Sequence, residues 1–287
     1  MRGLITRRGT MLGLTAAAIC LGAELRAEAG RLVSLGGTAT EIVYALGAGE
    51  RLVARDSTSS FPPEAQSLPD VGYVRALSAE GVLSVGPDLI LAEEGAGPPE
   101  VVALLKSADV EYVELPEGFD RVAIAKRIEI VGAALGRETE AEALTGEVLG
   151  ALDAAAEAAA ARAGERSKRV LFVLSAQGGR IMAGGEETAA DAVISLAGGV
   201  NALSGVVGYK PLTDEAVSQA KPDVILMMDR GGDHDMAAEA LLALPAFQPT
   251  PAAETGAVIR MDGLRLLGFG PRVGAAVTEL SRALYGG

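Results

Sequence analysis

Few residues in this sequence are of the types that carry out catalysis or bind metal ions. It contains one histidine, His234, and one cysteine, Cys20. These numbers exclude zinc fingers, cysteine-ligated iron–sulfur clusters, disulfide frameworks and sites built from several histidines. A serine hydrolase would have to use His234, and no serine lies in a recognisable nucleophile elbow. With no phosphate-binding loop or dinucleotide fingerprint either, we expect a protein that is not an enzyme.

Composition and net charge indicate a folded protein and argue against one class of partner. The chain has 287 residues, 49% of them hydrophobic, which is enough for two folded lobes with buried cores. Its 25 basic and 38 acidic residues give a net charge of -13. Binding to nucleic acid needs a basic face, so the charge argues against a nucleic-acid partner.

The first 29 residues have the pattern of an export signal. Arg7-Arg8 precedes a weakly polar run, Gly9–Ala23, and Ala27-Glu28-Ala29 is typical of a cleavage site before Gly30. We therefore predict cleavage near Ala29-Gly30. The paired arginines leave both the general secretory route and the twin-arginine route open.

The remaining chain alternates apolar strand-like runs with helical stretches, which predicts an α/β fold of mostly parallel sheets. A proline-free region contains one long helical stretch, Arg137–Ala163, whose length of about 40 Å could bridge two lobes. We accordingly predict an N-terminal α/β lobe over residues 30–136, an interlobe helix over 137–164 and a C-terminal α/β lobe over 165–287. A ligand cleft is expected between the lobes.

An internal repeat supports the two-lobe prediction. Leu77–Leu91 aligns without gaps to Leu212–Leu226, and seven of the fifteen positions are identical. Each copy is typical of a helix cap, a short helix, a Pro-Asp turn and a buried strand. A Gly-Tyr pair precedes each copy, Gly72-Tyr73 in the first and Gly208-Tyr209 in the second. A weaker similarity relates the capping-box pattern Thr38–Glu41, predicted to begin a helix, to Thr188–Asp191.

These features resemble the periplasmic substrate-binding proteins of ABC importers that have a rigid interlobe helix, a superfamily of cobalamin, siderophore and haem binders. Within it, the segments Val71–Ser84, Gly208–Leu212 and Met261–Arg272 resemble the haem-binding members. The resemblance covers essentially all of Arg31–Tyr285. It implies a monomeric periplasmic protein that carries haem b as its transported ligand and delivers it to an inner-membrane permease and its ATPase.

The resemblance also assigns roles to individual residues. It implies that Tyr73 is the axial ligand of the haem iron, because phenolate oxygen is a hard donor suited to Fe(III). Arg75, Tyr209 and Arg230 are expected to contact the haem. Some family members carry a histidine after the first strand of the second lobe, which this sequence lacks, so His234 is the remaining candidate for a second iron ligand.

Two acidic residues occupy equivalent positions in the repeat. Glu80 and Glu215 lie in the first turn of the two repeated helices, where a carboxylate also interacts favourably with the helix dipole. The resemblance implies that one such residue in each lobe docks against the permease.

Other functions stay open on the sequence alone. A cobalamin or ferric-siderophore binder on the same scaffold would not need Tyr73 as an iron ligand. A secreted enzyme on a two-lobed fold would require a catalytic constellation that the sequence does not show. Zinc or manganese delivery is disfavoured because histidine is nearly absent.

Overall fold

Two β-sheets organise the part of the chain that the structure describes, residues 30–229 and 236–286 of a computed structural model. The strands are β1 (Leu32–Leu35), β2 (Leu52–Arg55), β3 (Leu89–Glu93), β4 (Glu111–Leu115), β5 (Arg169–Ser175), β6 (Ile181–Gly184), β7 (Val200–Asn201), β8 (Tyr209–Leu212), β9 (Val224–Asp229) and β10 (Val258–Asp262). The helices are α1 (Gly37–Ala45), α2 (Ala79–Ser84), α3 (Pro99–Ser107), α4 (Arg121–Leu135), α5 (Glu138–Ala163), α6 (Ala189–Leu196), α7 (Asp214–Ala220), α8 (Ala238–Leu242), α9 (Pro251–Thr255), α10 (Gly263–Leu267) and α11 (Val273–Tyr285).

The first sheet, in the order β2-β1-β3-β4, is parallel throughout. Its central strands β1 and β3 are almost entirely apolar and buried, as expected where helices cover both faces of a parallel sheet. Because parallel strands end at the same edge, the segment after β1 and the last residue of β3, Glu93, come together there. This edge forms one wall of the candidate site.

The second sheet is mixed, in the order β10-β9-β5-β6-β8, with β7 paired to β5. Strands β10, β9, β5 and β7 run parallel, whereas β6 and β8 pair antiparallel. The parallel strands β5, β9 and β10 coincide with apolar runs of the sequence. Strands β6, β7 and β8 escaped prediction because they are short, and β8 contains a lysine and a proline.

Helix α5 is the predicted interlobe helix, and its 26 residues extend over about 39 Å. Its buried positions recur at helical spacing and pack against α4 and α11 (Ala141, Val148, Leu152, Ala155 and Ala159). Gly274 of α11 permits the close approach, because a Cβ atom there would lie 2.9 Å from the carbonyl oxygen of Ala151. No helix among the described residues is both long enough and apolar enough to span a membrane.

One large apolar cluster joins the two lobes. It contains side chains from the first sheet, the second sheet, α5 and α11, among them Leu91, Phe172 and Leu152. The α/β fold with two lobes is therefore as predicted. Residues from Arg31 onwards form one compact unit, so the lobe boundaries at residues 136 and 164 stay a prediction.

The repeat folds as predicted in both copies. Ser78 caps α2 by accepting a hydrogen bond from the N–H of Gly81 (2.9 Å), and Thr213 caps α7 through Ala216 (3.2 Å). Each short helix leads through its Pro-Asp turn into a buried strand, β3 or β9.

The capping box predicted at Thr38–Glu41 is absent. Helix α1 begins at Gly37 with Gly36 at the cap position and no capping side chain from its own segment. The N–H groups of its first turn bond instead to Glu93, from the end of β3. Glu41 is buried and pairs with Arg272. A carboxylate from a neighbouring strand has replaced the local cap, which sequence spacing does not reveal.

Candidate functional site

A cavity of about 190 Å³ lies between the two lobes at the carboxyl edge of the first sheet. The first lobe contributes most of the wall, including the charged side chains of Arg75, Glu93, Glu94, Glu117 and Arg127. The second lobe contributes Ala189, Tyr209, Leu267 and Gly268. Pockets that enclose a whole drug-sized ligand measure about 300–1,000 Å³, so this cavity can enclose only part of a large one.

Tyr73 stands outside the enclosed cavity, on a loop that local bonds hold in place. Asp70 accepts a hydrogen bond from the N–H of Gly72 (2.8 Å), whose φ of 104° suits a glycine. The carbonyl of Tyr73 then accepts from the N–H of Ala76 (2.7 Å), which closes a turn. The phenol of Tyr73 is 48% exposed and makes no hydrogen bond with any described residue. The phenolic oxygen is therefore not engaged by the described part of the chain.

The loop that carries Tyr73 is fastened to the segment that follows β3. The N–H of Leu77 donates to the carbonyl of Gly97 (2.8 Å), and the N–H of Gly97 donates to the carbonyl of Val74 (2.9 Å). These bonds place Arg75 on the cavity wall, two residues beyond Tyr73. The guanidinium of Arg75 forms no hydrogen bond or ion pair within the described chain.

Glu93, which lines the cavity, caps the N-terminus of α1. Its Oε1 accepts hydrogen bonds from the N–H groups of Thr38 (2.6 Å) and Ala39 (3.0 Å). Burial raises the pKa of the Glu93 carboxyl, while the two N–H groups and the charge of Arg127 act in the opposite direction. The result is a buried carboxyl group where a helix would otherwise offer its free N–H groups.

Arg127 is a buried cation whose terminal nitrogens are engaged by backbone. It donates from Nη1 to the carbonyls of Pro116 (3.2 Å) and Gly118 (2.9 Å), and from Nη2 to that of Phe269 (2.9 Å). Burial lowers its pKa, and the nearby carboxylates, Glu93 foremost, oppose that shift. Arg127 therefore ties α4 to the loop that follows β4 and to the second lobe.

The wall from the second lobe centres on Tyr209 of β8. Its ring meets Phe172 edge-on at a centroid distance of 6.3 Å. Burial raises the pKa of the Tyr209 phenol, while hydrogen bonds from Thr188 and Ala190 and the charge of Arg75 act to lower it. Thr188 caps α6, so the phenol lies at the start of that helix. Arg75 and Tyr209 thus face each other across the lobes.

Polar bonds join the two lobes, some of them through residues that line the cavity. Thr38 donates through its hydroxyl to the carbonyl of Gly268 (2.8 Å), beside the bond from Arg127 to Phe269. Arg272 donates from Nε to Glu41 (3.0 Å) and lies 3.7 Å above the ring of Phe61. Burial raises the pKa of Glu41, and Arg272 partly offsets that rise.

The structure brings together some of the residues that the sequence singled out. Arg75 and Tyr209 line the cavity, whereas Tyr73, two residues before Arg75, is exposed and is not part of the lining. Glu80 and Glu215 lie exposed in the first turns of α2 and α7, and Gln219 donates a hydrogen bond to Glu215 (3.0 Å).

Two predicted residues, Arg230 and His234, lie outside the described residues, as does the predicted signal segment. Within the described residues no group of three histidine, cysteine or carboxylate side chains could hold a metal ion. Sequence analysis missed Glu93 and Arg127. The position of Glu93 at the end of a buried parallel strand was an available signal, whereas Arg127 resembles any charged residue on a helix.

Comparison with known proteins identifies the scaffold. The periplasmic heme-binding protein BhuT, in a structure with two hemes, is 43% identical over 89% of this chain and 98% of its own, with a TM-score of 0.84. The apo form of the periplasmic heme-binding protein RhuT from Roseiflexus sp. RS-1 is 40% identical over 89% of this chain and 98% of its own, with a TM-score of 0.85.

Curated relatives extend the comparison to sequence. An uncharacterised ABC transporter substrate-binding lipoprotein of Bacillus subtilis, YvrC, is 27% identical over 91% of this chain and 82% of its own. A vitamin B12-binding protein of Vibrio cholerae is 41% identical over only 26% of this chain and 28% of its own. The family model described as periplasmic binding protein matches residues 32–263. Such proteins are non-enzymatic parts of transport systems, as the lack of a catalytic constellation predicted. This chain belongs to the periplasmic binding protein family.

Proposed function

We propose that this protein binds haem b in the periplasm through an axial tyrosinate from Tyr73 and delivers it to an inner-membrane ABC importer. The observation that carries the proposal is the exposed phenol of Tyr73, which has no hydrogen-bond partner among the described residues and lies two residues before Arg75 of the cavity wall. The high identity of the full-length relatives that bind haem supports the same ligand.

The chemistry at the cavity edge suits a ferric porphyrin. A free phenol has a pKa near 10, so ligation at neutral pH needs the iron and a nearby cation to favour the phenolate. Arg75 lies two residues from Tyr73 without a described partner and can supply that charge. Tyr209 offers an aromatic face from the second lobe. Arg230 as a further haem contact and His234 as a second iron ligand stay proposals from the sequence.

Delivery is proposed to use one acidic contact on each lobe. Glu80 and Glu215 are exposed, sit at equivalent places in the repeat and are held on capped helices. A permease with two related halves would present two matching basic sites. Charge reversal at both positions should impair uptake by cells while leaving haem affinity unchanged.

Export is proposed to follow from the N-terminal signal, with cleavage near Ala29-Gly30. We further propose that the mature protein acts as a monomer. The substrate-binding lipoprotein among the relatives supports an extracytoplasmic location.

A second candidate ligand is cobalamin. The similarity to a vitamin B12-binding protein favours it, although that match spans little more than a quarter of either chain. A ferric siderophore is a third candidate on the same scaffold. Neither ligand requires coordination by Tyr73.

The test is a titration of the mature protein with ferric haem and, separately, with cyanocobalamin. We expect saturable haem binding with a high-spin tyrosinate absorption spectrum that Tyr73→Phe abolishes. Tyr112→Phe is the matched control, because its hydroxyl lies in the same lobe, away from the cavity wall, and has no hydrogen-bond partner there. Saturable binding of cyanocobalamin but not of haem would reject the proposal.

A further inference from the structure

We propose that Asp70 is a positioning residue for haem binding. Its carboxylate fixes the backbone at Gly72 and thereby the direction in which the side chain of Tyr73 projects. Asp70 acts through Tyr73 rather than by touching the ligand. The inference rests on the proposed haem binding by Tyr73 and adds the residue that holds the binding loop in place before the ligand arrives.

The first step concerns the two oxygens of the Asp70 carboxylate, both of which are engaged. Oδ1 accepts a hydrogen bond from the N–H of Gly72 (2.8 Å), and Oδ2 accepts one from Nη1 of Arg55 (2.8 Å). The Arg55 side chain is only 13% exposed, and its Nη1 also donates to the carbonyl of Asp56 (3.0 Å). The guanidinium therefore holds the carboxylate in one orientation. The bond to Gly72 closes a tight side-chain turn immediately before Tyr73.

The second step concerns Gly72, which is held at its carbonyl as well as at its N–H. The carbonyl accepts a hydrogen bond from the N–H of Ser57 (2.9 Å). A glycine loses more conformational freedom on folding than any other residue, and Gly72 has a φ of 104°. Its two bonds fix the peptide that leads into Tyr73. Because the phenol has no hydrogen-bond partner among the described residues, its direction depends on this backbone.

The third step concerns the segment after β2, which supplies these contacts and is itself fixed by a buried carboxylate. Asp56 is wholly buried, and its Oδ1 accepts from the N–H of Gly36 (2.9 Å) and from the hydroxyl of Ser59 (2.7 Å). Its Oδ2 accepts from the N–H (2.9 Å) and the hydroxyl (2.7 Å) of Thr58. Hydrogen bonds of this kind offset the cost of burying a carboxylate. They tie the segment that contains Ser57 to the end of β1.

The fourth step separates the side chain of Asp70 from the backbone pairing around it. The N–H of Arg55 donates to the carbonyl of Pro69 (3.0 Å), and the N–H of Val71 donates to the carbonyl of Arg55 (3.0 Å). Neither bond needs the Asp70 carboxylate. Its ion pair with Arg55 is 41% exposed on the carboxylate side, and such pairs contribute little to stability. Removing the carboxylate should therefore keep the fold and release only the turn before Tyr73.

The test compares ferric haem binding by Asp70→Ala, Asp70→Asn and the control Asp88→Ala. Asp88 also accepts a hydrogen bond from a backbone N–H, that of Arg31 (2.7 Å), but directly before β3, at the opposite edge of the same sheet. Asp70→Ala should bind haem about tenfold less tightly, since the loop must then be ordered on binding. Part of its tyrosinate spectrum should give way to that of Tyr73→Phe. Asp70→Asn, which keeps an acceptor oxygen for Gly72, should recover most of the affinity and spectrum, and Asp88→Ala should keep both.

A second variant, Gly72→Ala, perturbs the same backbone without the carboxylate. A Cβ atom there would meet no heavy atom within 4 Å, so packing is untouched, while the φ of 104° disfavours alanine. It should weaken haem binding and alter the spectrum in the same direction as Asp70→Ala. If Asp70→Ala fails to fold, this variant decides the question.

Urea unfolding distinguishes a positioning role from a structural one. Asp70→Ala and Asp88→Ala should lose similar, small amounts of stability, while only the former changes the spectrum. Wild-type affinity and spectrum in Asp70→Ala or Gly72→Ala would overturn the inference, as would an Asp70→Asn variant as weak as Asp70→Ala. Failure of the wild-type protein to bind haem, or a tyrosinate spectrum that persists in Tyr73→Phe, would instead reject the proposed function, and this inference with it.

Discussion

The two copies of the Gly-Tyr pair reach different environments in the two lobes. Gly72 and Gly208 both have positive φ, 104° and 75°, so the backbone turns at the same point of each copy. In the first lobe the chain continues as a loop and leaves Tyr73 exposed. In the second it continues as β8, which pairs with β6 and packs Tyr209 against Phe172. The repeat preserved the turn, while strand pairing gave the two tyrosines different surroundings: Tyr209 packs against Phe172 and lines the cavity, and Tyr73 does neither.

The same contrast extends to charge. All the charged side chains of the described cavity wall come from the first lobe, whereas the second lobe contributes uncharged residues and backbone carbonyls. The first lobe therefore supplies every charged side chain that a ligand would meet on the described cavity wall. The second lobe supplies an uncharged surface and the backbone carbonyls of Gly268 and Phe269, which accept hydrogen bonds from the first lobe.

The largest expected effect on haem affinity comes from Tyr73 and distinguishes it from Tyr209. Tyr73→Phe should weaken haem binding by about 100-fold or more, because losing the axial ligand removes at least about 3 kcal/mol. Isothermal titration and the absorption spectrum check this. A variant that keeps wild-type affinity would show that Tyr73 is not the ligand and would remove the contrast between the lobes.

The next prediction concerns the ion pair of Glu41 and Arg272, which joins the two lobes. Arg272→Met leaves Glu41 buried without its partner, and an uncompensated buried carboxylate typically costs about 3 kcal/mol. Urea unfolding should show a loss of that order. In the double variant Glu41→Gln/Arg272→Met, which removes the charge as well, much of the stability should return. A double variant as unstable as the single one would assign the loss to packing against Phe61 instead.

The two arginines of the cavity wall should differ in a complementary way. Arg127→Gln should lower the free energy of unfolding by about 2 kcal/mol, since it leaves one buried and two partly buried carbonyls without their donor. Arg75→Gln should change stability by less than about 0.5 kcal/mol, as is usual for an exposed side chain. Thermal and urea unfolding of both variants measure this, and equal losses would contradict the assignment of one structural and one ligand-facing arginine.

A smaller, pH-dependent effect comes from Glu93. Burial raises the folded-state pKa of its carboxyl above the ordinary 4.5, so its contribution to stability is full below pH 4.5 and is lost as the pH rises through the folded pKa. Glu93→Gln should therefore gain stability relative to the wild type between pH 4 and pH 7. Unfolding measured at both pH values tests the sign. A relative loss over that interval would mean that the helix N-terminus and Arg127 outweigh burial.

The smallest expected effect is at the second tyrosine. Tyr209→Phe keeps the ring against Phe172 and removes only the phenolic oxygen, so haem affinity should change by less than about threefold, or about 0.6 kcal/mol. The tyrosinate spectrum should persist. A loss as large as that of Tyr73→Phe would make the two lobes equivalent as sources of iron ligands.

Much of this protein could be predicted from the order of its residues. Buried apolar runs indicated β1, β3, β5 and β9, because strands covered on both faces must be continuously hydrophobic. Local capping residues such as Ser78 and Thr213 indicated where the repeated helices begin. The run around Tyr73 and Arg75 resembled the haem-binding members of the family, and the proposed ligand and its binding residue come from that resemblance.

Tertiary structure decided what depends on residues distant in sequence. The cap of α1 comes from Glu93, more than fifty residues beyond the helix, and Arg127 and Arg272 reach partners more than a hundred residues away. Such contacts leave no periodic or local signature, because they arise only when two sheets and their helices pack together. The sequence by itself determined the strands, the repeat and the candidate ligand residue. Packing determined that Tyr209 lies against Phe172 and on the cavity wall, and that Arg127, unlike Arg75, is engaged by backbone carbonyls.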